Sequence, residues 1–334
     1  VIAYNLGEPD FGTPENICNA AKAAIDAQKT KYTAVPGIAE LREAICEKLQ
    51  KDNHVTYAPN QICVGTGAKQ PLVDAVLALC EEGDEVIVPT PCWVSYLEMV
   101  KLSGADPVLV RNREEDGFAL NIEGIKKAIT PKTQAIMINT PNNPTGAVYT
   151  EKDLRALAAL ACEHDFYIIS DEVYEKLIYE SKAHFCVASV SDEVKERCVI
   201  INGFSKAYSM TGWRLGYMCA PKEIIQACVR MHQYTITCAS SFVQEAAVTA
   251  LRDCAEDVEA MRQEYQKRKD YMVKALNEID GISCNNPEGA FYIFVNIKSL
   301  GMSSMEVAEY LLEHAKIALV PGSAFGSEGE GYLR

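Results

Sequence analysis

Ala135-Ile136-Met137-Ile138-Asn139 and Tyr167-Ile168-Ile169-Ser170-Asp171 bracket the segment that decides the fold. Both are short apolar runs without polar alternation, the pattern of strands covered on both faces. Between them lie the turn-rich Pro141-Asn142-Asn143-Pro144-Thr145-Gly146 and a helical stretch from Glu151 to Glu163. Strand, helix, strand at this spacing predicts a parallel pair with a helical crossover.

The same alternation runs outward in both directions. Upstream, strands are predicted at 62–67 (with its turn), 85–88 and 107–110, and helices at 69–80, 93–102 and 121–129. Downstream, Cys198-Val199-Ile200-Ile201-Asn202 forms another strand. The fold class is therefore α/β, with a mostly parallel, doubly wound sheet. The chain ends read differently. Residues 5–14 are rich in Gly and Pro, a helix follows from Glu15, and 32–37 is a loop before a helix at 38–50. A long charged helix is predicted at 256–277, then strands at 290–295 and 317–320 around a helix at 304–314. The expected organisation is a large domain at 36–268 and a smaller α/β domain made by both chain ends, 1–35 and 269–334.

Composition excludes several classes of partner. Of 334 residues, 48% are hydrophobic and 23% charged, and the net charge is −14, so neither nucleic acid nor an anionic membrane finds a basic face. No apolar run reaches a membrane span. The 13 cysteines sit in apolar segments with no CxxC spacing, which predicts reduced core thiols, a cytoplasmic setting and no metal site. The N-terminus, Val1-Ile2-Ala3-Tyr4-Asn5, has neither an initiator Met nor the basic start of a signal peptide, and the chain is expected to begin inside its gene product.

Ligands of doubly wound sheets lie beyond the carboxyl ends of the strands, and four polar motifs fall there: Gly67-Ala68-Lys69, Asn142-Asn143-Pro144-Thr145-Gly146, Asp171-Glu172-Val173-Tyr174 and Ser205-Lys206. Lys206 offers a primary amine at the end of a buried strand, where desolvation beside Arg214 would lower its pKa. Taken with Gly7-Glu8-Pro9-Asp10-Phe11, Tyr32-Thr33, Trp93-Val94-Ser95-Tyr96 and Thr211-Gly212-Trp213-Arg214, the ordered set resembles the fold-type I pyridoxal-phosphate enzymes. The match is specifically to the class I aminotransferases of the bacterial aspartate aminotransferase-like branch, and it runs through nearly the whole chain.

The resemblance implies the roles. Lys206 would join the aldehyde of pyridoxal 5′-phosphate and carry the proton of the reaction. Asp171 would face the pyridine nitrogen, while Tyr174 and Asn143 would hydrogen-bond the phenolic oxygen. The phosphate would lie among Gly67, Ala68, Lys69, Ser205 and Arg214, joined by Tyr32 of a neighbouring subunit, which makes a homodimer the active unit. Trp93 would stack on the ring, and Gly7 would let backbone approach the substrate. Arg334 would take the substrate α-carboxylate as a planar bidentate donor. Relatives carry further elements beyond Arg334 and before Val1, so the small domain is expected to be incomplete at both ends.

In relatives with Gly-Ala-Lys the lysine matching Lys69 can reach a distal carboxylate, so the resemblance favours aspartate or a similar amino acid as donor and a 2-oxo acid such as 2-oxoglutarate as acceptor. Aromatic or alanine donors stay open. So do a C–S β-lyase on the same scaffold, which would use the same Lys206 and Asp171, and a non-catalytic sensor domain.

Overall fold

The computed structural model describes residues 1–180 and 182–334. Its centre is a seven-stranded sheet: β1 (Ile62–Gly65), β2 (Glu85–Thr90), β3 (Asp106–Arg111), β4 (Thr133–Asn139), β5 (Tyr167–Asp171), β6 (Cys198–Gly203) and β7 (Gly216–Cys219). The order across the sheet is β1-β7-β6-β5-β4-β2-β3. Only β7 runs against its neighbours, pairing antiparallel with β1 and β6. The ends of β1, β4, β5 and β6 therefore share one rim.

Side-chain parity explains why the strands lack alternation. Val86, Val88, Met137, Ile169 and Ile201 pack with Leu72, Val76, Met99 and Cys228 on one face. Ile87, Ile136, Ile138, Ile168 and Ile200 pack with Leu41, Ile45, Leu154, Leu157 and Ala247 on the other. A fully buried aliphatic side chain contributes about 1.5–3 kcal/mol, so polar alternation on either face would be costly.

Helices Lys69–Leu79, Ser95–Leu102 and Lys222–Thr235 cover the first face. Helices Ala39–Asp52, Glu151–His164 and Ser241–Asp253 cover the second. The helix Ala255–Asn277 leads to two small sheets. In one, Ile2–Ala3 pairs parallel with Ile317–Ala318; in the other, Val295–Asn296 lies between Ser283–Cys284 and Tyr332–Leu333.

Three features differ from the sequence reading. The strand expected at 290–295 is reduced to Val295–Asn296, because Ala290 takes φ +57° and its amide bonds instead to the Leu177 carbonyl. The helices Lys222–Thr235 and Ser241–Asp253 were not anticipated. Nor was β7, whose four residues are too short a signal by themselves; its pairing with β6 folds 204–215 into a loop that returns Arg214 to the rim beside Lys206.

Candidate active site

The rim opens into a cleft of about 560 Å³. Lys206, Asp171, Tyr174, Asn143, Ala68, Lys69, Trp93, Ser205, Arg214, Gly7 and Arg334 all line it. Gly67 adjoins it through contact with Arg214. Tyr32 does not line it and is 88% exposed.

Asp171 ends β5 with only 3% exposure. Its Oδ2 accepts from the Tyr96 hydroxyl at 2.6 Å and its Oδ1 from the Val173 amide at 3.3 Å. Burial pushes its carboxyl up to about 6, against the hydrogen bond from Tyr96 that pulls it down. Asn139, ending β4, donates to the Asp171 carbonyl at 2.9 Å and accepts from the Asn143 amide at 2.7 Å. The backbone of Asn143 is thereby fixed to the strand that carries Asp171.

Tyr174 points into the cleft with its hydroxyl 2.7 Å from that of Tyr292. Burial raises its phenol well above the usual 10, so it keeps its proton. Lys206, half-buried, donates from Nζ to the Gly7 carbonyl. Burial, then the charge of Arg334, lower its amine from 10.5 to about 8. Such an amine can serve as nucleophile and base near neutral pH.

The opposite end of the cleft is built for an anion. Gly67 takes φ +72°, and a Cβ there would lie 2.3 Å from Arg214 Nη2. Gly216 is equally constrained, because a Cβ would meet the Ala68 nitrogen at 2.5 Å; β7 can pass under the turn only without a side chain. The amides of Gly67 and Ala68 have no protein acceptor among the described residues. They open the helix Lys69–Leu79, whose dipole favours negative charge. At the third corner, Arg334 donates to Asn143 Oδ1 and the Asn5 carbonyl, each at 3.0 Å. Its Nε is buried without a partner among the described residues. These groups fit pyridoxal phosphate: free amides and a guanidinium for the phosphate, a buried carboxylate for the ring nitrogen, a lowered amine for the aldehyde.

Sequence reasoning missed Tyr96, Asn139 and Tyr292. Tyr96 stands in a motif already noted, with its ring edge-on to that of Trp93 at 5.4 Å between centroids; a buried tyrosine hydroxyl needs a partner. Tyr292 carried no signal, since Phe291-Tyr292 reads as part of a strand. Also unforeseen is a buried ionic network behind Asp171. Glu172 meets His184 Nε2 at 2.7 Å, and Glu175 contacts Lys48.

Comparison with known proteins gives one answer. The family model described as aminotransferase class I and II matches residues 1–334. An aspartate aminotransferase of Pyrococcus abyssi is 48% identical over 337 residues, which span 100% of this chain and 86% of that protein. The solved aromatic aminotransferase of Pyrococcus horikoshii superposes with a TM-score of 0.98 at 47% identity, covering 100% of this chain and 90% of the other. The aspartate aminotransferase of Thermus thermophilus with maleate gives 0.96 at 42% identity, covering 100% and 86%. These relatives favour neither the lyase nor the sensor. The chain belongs to the class I and II aminotransferases, enzymes that depend on pyridoxal 5′-phosphate.

Proposed function

We propose that this aminotransferase moves an amino group from aspartate, or a similar amino acid, to a 2-oxo acid such as 2-oxoglutarate, with the residues of the cleft in the roles set out above. The observation that carries the reading is the meeting of a lowered lysine amine, a buried carboxylate and an arginine with an unpaired N–H in one cleft. Bound there, pyridoxal phosphate supplies an aldehyde and an electron-accepting ring. Asp171 keeps a proton on the ring nitrogen. Tyr174 and Asn143 donate to the phenolic oxygen. Lys206 Nζ takes the proton from the substrate α-carbon and later returns one as an acid. Arg334 holds the α-carboxylate, with Gly7 leaving room beside it, and Gly67, Ala68, Ser205 and Arg214 bind the phosphate.

Lys69 supports a dicarboxylate donor. Its Nζ lies 3.2 Å from Ser95 Oγ and 4.7 Å above the Trp93 ring, at the cleft wall. An aromatic donor is the second reading, favoured by the likeness to the Pyrococcus horikoshii aromatic aminotransferase. Turnover of aspartate, tyrosine and leucine with 2-oxoglutarate, by the protein and by Lys69→Ala, separates the readings. Aspartate is expected to lead and to lose the most on substitution. Equal turnover of aspartate and leucine, unmoved by Lys69→Ala, would refute the dicarboxylate reading.

The proposed active unit is a homodimer, with the exposed Tyr32 reaching the partner's phosphate site. The proposed division is a domain at 36–268 and a smaller one from 1–35 and 269–334, supported by the two small sheets that the chain ends build. The proposed setting is the cytoplasm. Every one of the cysteines is a free thiol, and among the described residues no helix is long and apolar enough to cross a membrane.

A further inference from the structure

Tyr292 stands where three parts of the cleft meet, on a segment with little freedom to move. The amides of Glu288 and Gly289 both donate to the Gly146 carbonyl, at 3.0 and 2.9 Å, and the Ala290 amide donates to Leu177 at 2.8 Å. A Cβ on Gly289 would lie 2.7 Å from the Pro141 ring. The segment is thus pressed against the rim of the large sheet, and it delivers a tyrosine that is 6% exposed.

One end of that side chain is polar and the rest is a flat apolar face, and each has its own neighbour. The hydroxyl meets the Tyr174 hydroxyl at 2.7 Å, and a Cβ on Gly7 would lie 2.6 Å from it. The face carries the Arg334 guanidinium, 4.5 Å from the ring centroid. We propose that Tyr292 is a positioning residue that ties the group holding the substrate carboxylate to the group holding the cofactor oxygen. Its face sets the plane of Arg334, and its hydroxyl sets the proton of Tyr174. The proposal rests on the assignment of Arg334 and Tyr174 made above.

The chemistry follows from donor counting. A phenol has one proton. For Tyr174 to donate it to the cofactor oxygen, the Tyr174 oxygen must accept from Tyr292, and a hydroxyl that accepts one bond donates a stronger one. Arg334 needs a different kind of support. Two of its five N–H donors are already committed to Asn143 and Asn5, so the ring beneath fixes the plane in which the other three can meet a carboxylate. Stacking on an aromatic face is how guanidinium planes are commonly held.

The test uses the holoenzyme and two readouts other than turnover. One is the dissociation constant of succinate and of 3-phenylpropionate, unreactive carboxylates that require Arg334 whatever the side-chain preference. The other is the pH midpoint of the cofactor's visible absorbance. Tyr292→Phe keeps the face and removes the hydroxyl. It is expected to raise the midpoint by about 0.5–1 pH unit, the size of one hydrogen bond, and to change either affinity by less than about 3-fold. Tyr292→Leu removes both, and is expected also to weaken both ligands by about 3- to 30-fold, the range of a cation–π contact.

Arg334→Lys and Tyr174→Phe are measured in parallel. If they respond in affinity and midpoint respectively while Tyr292→Phe leaves the midpoint unmoved, the proposal falls and the site assignment stands. A Tyr292→Phe variant that loses as much affinity as Tyr292→Leu overturns it too. If Arg334→Lys leaves both affinities unchanged, the site assignment is what fails. Should Tyr292→Leu not fold, the midpoint of Tyr292→Phe decides alone.

Discussion

Before cofactor binds, Lys206 should titrate far below an ordinary lysine. Burial, with the Arg334 charge second, brings it from 10.5 to about 8. At pH 7.5 about a quarter of such amines are neutral, against about 0.1% of ordinary ones, so the structure supplies roughly 200-fold more nucleophile. Reductive methylation of the cofactor-free protein across pH, followed at the Lys206 peptide by mass spectrometry, reads this directly. A midpoint near 8 is expected, moving upward in Arg334→Met because a neighbouring positive charge is gone. Stability carries the same signature. The folded amine binds its proton more weakly than the unfolded one, so the folded state is penalised below about 8. The penalty lifts as pH rises from about 8 to 10.5, a change of up to ~3 kcal/mol. Lys206→Met should lack that pH dependence. A methylation midpoint above about 10, unaltered by Arg334→Met, would refute the reasoning.

Three other perturbations are informative. Gly67→Ala places a Cβ against the Arg214 guanidinium at a left-handed backbone position; cofactor affinity, measured by fluorescence titration, should fall by at least about 10-fold, with a stability loss of about 1–2 kcal/mol. Tyr96→Phe removes the hydrogen bond that pulls the Asp171 carboxyl down; a carboxyl ¹³C titration of the cofactor-free protein should show it climbing above 6 by about 1–2 units, and no change would show that Tyr96 only packs. Glu175 is held down to about 2, since the charges of Lys48 and His184 outweigh the effect of burial. Glu175→Gln leaves Lys48 buried and unpaired, which should cost about 3–5 kcal/mol in urea denaturation at pH 7. The deficit should shrink as pH falls from 4.5 toward 2, where the native pair is itself protonated.

The fold was legible because its strands are hydrophobic on both faces and its helices periodic, and both patterns are local. Most of the cleft was legible for a related reason: ligand-binding residues of a doubly wound sheet follow strand ends, so Lys206, Asp171 and Asn143 announce themselves by position. What remained hidden depends on distant segments. Strand β7 needs the edges of β1 and β6 to exist before four residues can pair. Tyr96 meets Asp171 across 75 residues, and Tyr292 meets Tyr174 across 118. The lowered amine of Lys206 comes from burial and from Arg334, at the far end of the chain. Sequence by itself determined which polar side chains stand at the strand ends and the layered scaffold that presents them. Only tertiary structure decided their hydrogen-bond partners and proton affinities, because desolvation and charge proximity are properties of the space between segments, and no single segment contains that space.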